Sequence, residues 1–567
     1  MPSADPRGLW FGVGMGALFV GAAFTQARVQ VFERDPILKL AQASNRYVVG
    51  RPELAHRGAI VSADGKVLAQ SEDSFVLQVN FKRAPRSPAF LLELAAASGI
   101  PASEFEGAAR GGGSRTWRRD LTADQARQIQ AVKVSWRADG VSLDRTLERE
   151  YPFAEVTAGL VGAVRDGKPT TGLEFGCDAL LEGEDGYRTG VVDRSGAFLK
   201  LEGRSIPRRN GQSLTLTIDT RLQIAAHYAI RQAVEAHEAS SGVAIVIDPK
   251  TGDLLAMANW PTFDPTGQGG AGKKATDFNP AVMGFYEPGS TFKILTLAEA
   301  LQSGKVSMGD SIYCSGTLKI NRGSEIHCDR KHGAHGAANL ERAIAKSCNV
   351  SAATWALRVG NAGMVRFVDD LELLRRPKLG LRSEVRGRFR RDDPAKALQT
   401  ATLGFGQSIN VTPVMLASAF AMIGNEGIWH APRLVREIGG TEPPRDPGRR
   451  ILDAGVANDV LKLMASVIQS DEGTGAKLRV PGYRLAGKTG TAQKTNRVTG
   501  TMKGGGYVAS FVGFVPAEKP QAMILVMVDN PRGSAFYGSQ VAGPVFRELA
   551  GAVIRTYRIP PSSRAAP

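Results

Sequence analysis

Glu287-Pro288-Gly289-Ser290-Thr291-Phe292-Lys293 is the stretch on which the reading of this chain turns. Pro-Gly closes a loop, and the apolar pattern after it is helical, so a helix is predicted to open at Ser290. A Ser at a helix start and a Lys three residues on share one helix face. Acyl transfer needs a hydroxyl whose proton leaves as the oxygen attacks. A Lys amine can take that proton if burial or a second cation lowers its pKa. By itself Ser-x-x-Lys is a weak signal, because a capping Ser followed by a surface Lys has the same spelling.

Two further pieces strengthen it. Ser347-Cys348-Asn349 lies 57 residues on and offers a hydroxyl and an amide two positions apart. Ser347 can relay a proton to a leaving group, and Asn349 can hydrogen-bond a peptide backbone. Ala486-Gly487-Lys488-Thr489-Gly490-Thr491 precedes the last strand pair and reads as an edge strand. Lys488 brings positive charge to a substrate carboxylate, and Thr489 and Thr491 can hydrogen-bond it. Gly490 lets substrate lie against the strand. The backbone N–H groups of Ser290 and Thr491 are predicted to form an oxyanion hole. The order Ser-x-x-Lys, Ser-x-Asn, Lys-Thr-Gly is that of serine enzymes acting on penicillin and on D-Ala-D-Ala peptides.

Outward from these motifs the chain divides into sections. From about 211, Ser213–Ile218 alternates as a strand, and Asp219 caps a helix running to about His237. Val243–Ile247 and Leu254–Ala258 form a hairpin around Asp248–Gly252. Tyr507–Val515 and Ala522–Asp529 form a second strand pair, and a mostly helical insertion separates the two. The fold class is α+β, an antiparallel sheet covered by helices on its faces. Residues 50–210 read as an irregular α+β module. Its short strands are Ala59–Val61, Val67–Ala69 and Phe75–Val79, and its helices cover Pro88–Ala97 and Thr122–Val132. Gly267–Lys273 resembles a phosphate loop, but Lys274 stands where Ser or Thr is required, so it reads as a plain loop.

Gly8 to Ala27 is a run of 20 residues without a charge, the length of a transmembrane helix. A cleaved signal peptide ending near Ala23 or Ala27 is the rival reading. Gly8, Gly12 and Gly16 make a smooth stripe suited to helix–helix contact. The net charge of +16 points to an anionic neighbour such as a membrane surface or wall polymer. No nucleic-acid-binding motif accompanies that charge. Of the four cysteines, Cys314 and Cys328 can pair as a disulfide across a short loop in an oxidising compartment. His327, His332 and His335 lie nearby, but the spacing fits no standard zinc pattern.

The chain resembles the class B penicillin-binding proteins from the anchor to about residue 556. Arg57-Gly58-Ala59-Ile60 with Asp64-Gly65 and Leu68-Ala69 is similar to the family's opening pedestal motif. Arg149-Glu150-Tyr151-Pro152 and Gly172-Leu173-Glu174 are similar to its later pedestal motifs. Gly473-Thr474-Gly475-Ala476 and Ala486–Gln493 resemble its C-terminal part. Many relatives have Ser where this chain has Cys348. The resemblance implies a short cytoplasmic tail (1–7), a transmembrane anchor (8–28), a pedestal domain (29–210), a transpeptidase domain (211–556) and a disordered tail (557–567). It implies a peptidoglycan D,D-transpeptidase of the inner membrane with most of the chain outside. Ser290, Lys293, Ser347 and Lys488 would be catalytic, and Asn349, Thr489, Gly490 and Thr491 would bind substrate. It implies β-lactam inhibition, no metal and no cofactor. The partners implied are stem peptides, a polytopic glycosyltransferase of the shape, elongation, division and sporulation (SEDS) type, and other divisome or elongasome proteins. Septal synthesis is the first expectation, with elongation next.

The same motifs also serve hydrolases and penicillin sensors. Between Ser347 and Lys488 no Glu-x-x-x-Asn segment stands ready to hold a deacylating water; neither Glu372 nor Glu426 has it. A sensor would need several spans and a protease or kinase output, and the chain has no His-Glu-x-x-His. Transfer to an amine is the expected fate of the acyl-enzyme.

Overall fold

Three apolar runs, 241–247, 507–515 and 522–529, become the central strands of a five-stranded antiparallel sheet. The computed structural model describes residues 18–26, 28, 48–192, 198–200, 205–267, 276–321, 323–329, 333–391, 396–494 and 505–562. The sheet comprises β1 (Ser241–Ile247), β2 (Leu254–Trp260), β3 (Ala486–Gln493), β4 (Tyr507–Val515) and β5 (Ala522–Asp529). Its spatial order is β2-β1-β5-β4-β3, so the strand carrying Lys488 lies at an edge.

Alternation along each strand sends side chains to two cores. Ala244, Val246, Ile524, Val526 and Phe511 face one layer. There they meet α1 (Thr220–Ala236) and a C-terminal helix, Gly538–Tyr557. Val243, Ile245, Leu525 and Val512 face the other layer. That layer holds α2 (Phe292–Gln302), α3 (Asn349–Val359), α4 (Pro413–Gly424) and α5 (Ala454–Gln469). Burial on both faces explains why these strands read as continuous apolar runs. Truncating a fully buried aromatic such as Phe546 to Ala would cost about 3–5 kcal/mol. Asp219 caps α1 as predicted, accepting from Arg221 N at 3.0 Å.

A second sheet runs in the order 435–438, 214–216, 60–61, 67–80, 114–121, with 141–150 also paired to 67–80. Val67–Ala69 and Phe75–Val79, expected as separate strands, are parts of one strand, Val67–Asn80. The polar stretch between them hides this in the sequence. In the structure Ser71 to Ser74 pair with Arg149 to Thr146 in an unbroken ladder. Helices expected over 88–97 and 122–132 are present as Pro88–Ser98 and Ala123–Ser135, the latter opened by a capping box from Thr122 to Gln125.

The pedestal motifs meet around one carboxylate. Glu174 is fully buried and takes Arg57 Nε at 2.5 Å and Arg149 Nε at 2.7 Å. Arg57 also reaches Asp178 at 2.5 Å, and Arg149 donates to the Gly58 carbonyl at 2.8 Å. Tyr151 accepts from the Val164 N–H at 2.8 Å. These residues fall far apart in sequence and lock the ends of several short elements together.

Arg57–Glu182 and Gln212–Pro567 form one compact unit, and Met1–His56 with Gly183–Gly211 form another. In the smaller unit, Val48–Glu53 pairs with Gly186–Val192, which pairs with Phe198–Lys200. Among the described residues no helix is long and apolar enough to cross a membrane. The anchor expected over 8–28 falls partly outside the described residues, and its Gly8, Gly12 and Gly16 wholly so. Residues 18–26 are helical, with Leu18, Phe19, Val20 and Phe24 exposed. Most of the phosphate-loop look-alike, and His332, also lie outside the described residues.

Candidate active site

Ser290 sits in a single 3-10 turn, Gly289–Thr291, that feeds directly into α2. The turn is set by Gly289 at φ +56° and by Thr291, whose hydroxyl donates to the Pro288 carbonyl at 2.8 Å. Gly289 N–H donates to the Gly406 carbonyl at 3.0 Å, tying the turn to the neighbouring loop. Lys293 follows in the first turn of α2. That helix is apolar almost all round, so the Lys293 side chain is buried with it, 1% exposed.

The three motifs converge. Lys293 Nζ donates to Ser347 O at 2.5 Å, to Asn349 Oδ1 at 2.6 Å and to Ser347 Oγ at 3.1 Å. Lys488 Nζ reaches the same Ser347 Oγ at 2.9 Å and the Thr489 carbonyl at 3.0 Å. Lys488 is fully buried. Ser347 holds its place with a left-handed backbone, φ +59°, a conformation disfavoured by about 1 kcal/mol or more for a side-chain-bearing residue. Asn349 spends its amide on the His327 carbonyl at 2.7 Å. Ser290 is half-buried, and its hydroxyl makes no hydrogen bond among the described residues.

Burial pushes the Lys293 amine down to about 8, with nearby acidic and thiol groups acting in the opposite sense. Burial, and then the charge of Lys293, hold Lys488 well below the ordinary lysine range. Two ammonium groups cannot comfortably share one hydroxyl in a dry site, so one of the two readily sheds its proton.

On β3, Thr489 Oγ1 lies 3.0 Å from Thr474 Oγ1. Thr491 Oγ1 accepts from Gly538 N at 3.0 Å, which leaves its hydrogen to donate elsewhere. Gly490 has a different role from the one expected. A Cβ there would meet Ser510 Oγ at 2.3 Å and Thr291 Cγ2 at 2.9 Å. Its missing side chain lets β3 press against the Ser290 turn.

Sequence reasoning gave no role to Thr474, although the Gly473-Thr474-Gly475 motif that contains it was visible. It also missed Glu287, a half-buried carboxyl raised by desolvation that accepts from Ser408 N at 3.0 Å and braces the loop before Ser290. A stack of Tyr507, Phe536 and Tyr537 was missed too, with ring centroids 4.5 Å apart. It stands beside the end of β3, where Tyr507 pairs with Gln493.

The expected Cys314–Cys328 disulfide is not formed. None of the four cysteines is joined in a disulfide, and these two sulfurs are 3.6 Å apart against the ~2.05 Å of a covalent bond. Cys348 Sγ lies almost equally near Cys328, at 3.7 Å.

Comparison with known proteins gives the family. Residues 242–551 match the penicillin-binding protein transpeptidase domain, and residues 52–216 match the penicillin-binding protein dimerisation domain. The chain is 30% identical over 531 residues to a probable peptidoglycan D,D-transpeptidase PenA of Neisseria meningitidis, covering 92% of this chain and 88% of that one. It is 32% identical over 446 residues to the peptidoglycan D,D-transpeptidase FtsI of Escherichia coli, covering 78% and 73%. Penicillin-binding protein 3 of Mycobacterium tuberculosis, solved with aztreonam, superposes with a TM-score of 0.69 at 26% identity, covering 91% of this chain and 99% of that one. The chain belongs to the class B penicillin-binding proteins. Its enzymatic class is that of the serine-type D,D-transpeptidases.

Proposed function

We propose that Ser290 attacks the carbonyl of the penultimate D-Ala of a peptidoglycan stem peptide, with Lys293 accepting the serine proton. Ser347, held by Lys488, hands a proton to the departing D-Ala. The amine of a neighbouring stem peptide then takes the acyl group from Ser290 and completes the cross-link. Asn349 orients the donor peptide, Thr489 and Thr491 bind its terminal carboxylate, and Gly490 brings β3 close to the nucleophile. The N–H groups of Ser290 and Thr491 receive the developing oxyanion. The single observation that carries this reading is the convergence of two buried lysine amines on one Ser347 hydroxyl, at 3.1 and 2.9 Å. A β-lactam enters as a mimic of the donor and stops at acylated Ser290.

The enzyme is read as a single-pass protein of the cytoplasmic membrane, anchored by 8–28 and with its bulk outside. The division into a pedestal (29–210) and a transpeptidase domain (211–556) belongs to the same reading; of the tail expected as disordered over 557–567, residues 557–562 pack on the domain, with Ile559 buried and its carbonyl accepting from the Tyr483 hydroxyl at 2.9 Å. Its partner is a SEDS-type glycosyltransferase, with Gly8, Gly12 and Gly16 as the contact stripe. Its role is septal, from its size and two-section layout. A fluorescent fusion gathered at the division plane supports that role, and one spread along the lateral wall transfers it to elongation.

Labelling with a fluorescent penicillin, followed for hours in wild type and Ser290→Ala, tests the chemistry. A stable label that requires Ser290 is expected. Rapid loss of label with drug turnover would make the chain a hydrolase, and absence of label would make it a scaffold or sensor.

A further inference from the structure

Directly behind the Ser347–Asn349 loop lie four buried groups that the transpeptidation chemistry does not use: Cys314, Cys328, His335 and Cys348. Their donor atoms all lie within 4.8 Å of one another. Cys314 Sγ is 3.6 Å from Cys328 Sγ and 3.3 Å from His335 Nδ1, and Cys328 Sγ is 3.7 Å from Cys348 Sγ. A tetrahedral zinc ion with Zn–S bonds near 2.3 Å and Zn–N bonds near 2.0 Å sets S···S edges of ~3.8 Å and S···N edges of ~3.5 Å. The spacings match those edges. They are too long for a disulfide.

The local fold is also that of a metal-held element. Cys314 ends the strand Ser311–Cys314, and His335 immediately precedes its partner, Gly336–Asn339. Cys328 follows the hairpin of Thr317–Asn321 with Ser324–His327. Most side chains of these short strands are half-buried or exposed, so apolar packing alone holds them weakly. Cys348 caps α3, and its sulfur accepts from Ser351 N at 3.3 Å, a helix N-terminus that favours a thiolate. His335 is 8% exposed, and its Nε2 is buried with no hydrogen-bond partner. A disulfide between any two of the sulfurs would leave the third thiol and the imidazole without a use.

We propose that Cys314, Cys328, His335 and Cys348 bind one zinc ion and that this ion fixes the loop carrying Ser347 and Asn349. Each thiol releases its proton as the metal binds, and the imidazole ligates as the neutral ring. Four ligands close the tetrahedron, so the ion is structural and keeps no open position for substrate or water. It joins the Cys328 segment to Cys348. The Asn349 amide already grips the carbonyl of His327, next to Cys328, at 2.7 Å. The ion therefore holds Ser347 against the two lysines from behind. Its effect on acylation rests on the transpeptidase reading; binding of the metal does not.

The test uses the full-length protein in detergent, reconstituted with zinc, desalted and assayed by elemental mass spectrometry. About one zinc per chain is expected. Cobalt exchanged into the site should give the intense visible bands of tetrahedral thiolate coordination. Cys177→Ser and Ser290→Ala should keep the metal, and Cys314→Ala and His335→Ala should lose it. Since ligand variants can fail to fold, wild type is also stripped with a chelator and refilled. Penicillin acylation should fall by about tenfold or more and return with zinc. Wild type that retains no zinc and gives no cobalt bands overturns the proposal, as does a disulfide joining two of these cysteines in the purified enzyme. Stoichiometric zinc without any effect of its removal on acylation overturns the loop-fixing part. Zinc retained by a protein that penicillin never labels would keep the metal site and remove the enzymatic reading.

Discussion

Two clusters of buried cations sit in this chain, and they are built on opposite rules. Around Glu174, Arg57 and Arg149 bind a fully buried carboxylate at 2.5 and 2.7 Å, with Asp178 and backbone carbonyls taking further donors. Around Ser347, Lys293 and Lys488 are as deeply buried, yet their partners are hydroxyls, carbonyls and an amide, and among the described residues no carboxylate is bonded to either amine. A buried charge with its counterion stays charged and holds elements together. A buried charge without one is pushed toward neutrality and becomes a base. Arginine suits the first task because it does not deprotonate, and lysine suits the second because it does.

That contrast makes predictions of decreasing size. Lys293→Ala should slow penicillin acylation by about 10²–10⁴-fold in stopped-flow or gel assays. Its thermal midpoint should hold or rise, because an unneutralised buried cation has gone. A variant with normal acylation and a lowered midpoint would reverse the roles assigned to the two clusters. Glu174→Gln should do the opposite. Breaking the buried ion pairs should cost about 3–5 kcal/mol in denaturant unfolding while acylation per folded molecule stays at the wild-type rate.

The pH dependence should divide the clusters again. The base is the neutral amine, so protonation removes it. With the Lys293 amine lowered to about 8, acylation should rise about tenfold per pH unit below that value and level off above it. A profile flat from pH 6 to 9 would mean that neither lysine is the base. The smallest effect is expected from Thr474→Val, which removes the hydroxyl 3.0 Å from Thr489. One such hydrogen bond is worth about 1 kcal/mol, a fivefold change in acylation.

The candidate catalytic residues were legible because their chemistry is spelled locally: a serine and a lysine one helical turn apart, a hydroxyl and an amide two positions apart, a lysine on a strand. The layered α+β fold was legible because strands covered on both faces are continuous apolar runs. What escaped depends on segments that meet only in three dimensions. Gly490 looked like a passage for substrate, and only the packing of β3 on Thr291 and Ser510 gives its reason. The ligands around Cys328 are spread over two hairpins and a helix cap, so no fixed spacing announces them. The stack of Tyr507, Phe536 and Tyr537 joins a strand to a later loop. The strand Val67–Asn80 was split on paper by its polar middle.

The strand order β2-β1-β5-β4-β3 sets the first two strands of the sheet beside the last one made. On a chain emerging from the ribosome, Ser290 and its helix appear long before Ala522–Asp529 supplies the strand against which β1 and β4 both pair. The nucleophile is therefore synthesised early and assembled late. Until the C-terminal strands arrive, the unfinished enzyme has neither a β3 edge to receive a peptide nor a pocket for a drug, and its apolar first hairpin must wait unpaired. Non-local closure of this kind folds slowly, so the interval between synthesis and competence is written into the topology itself.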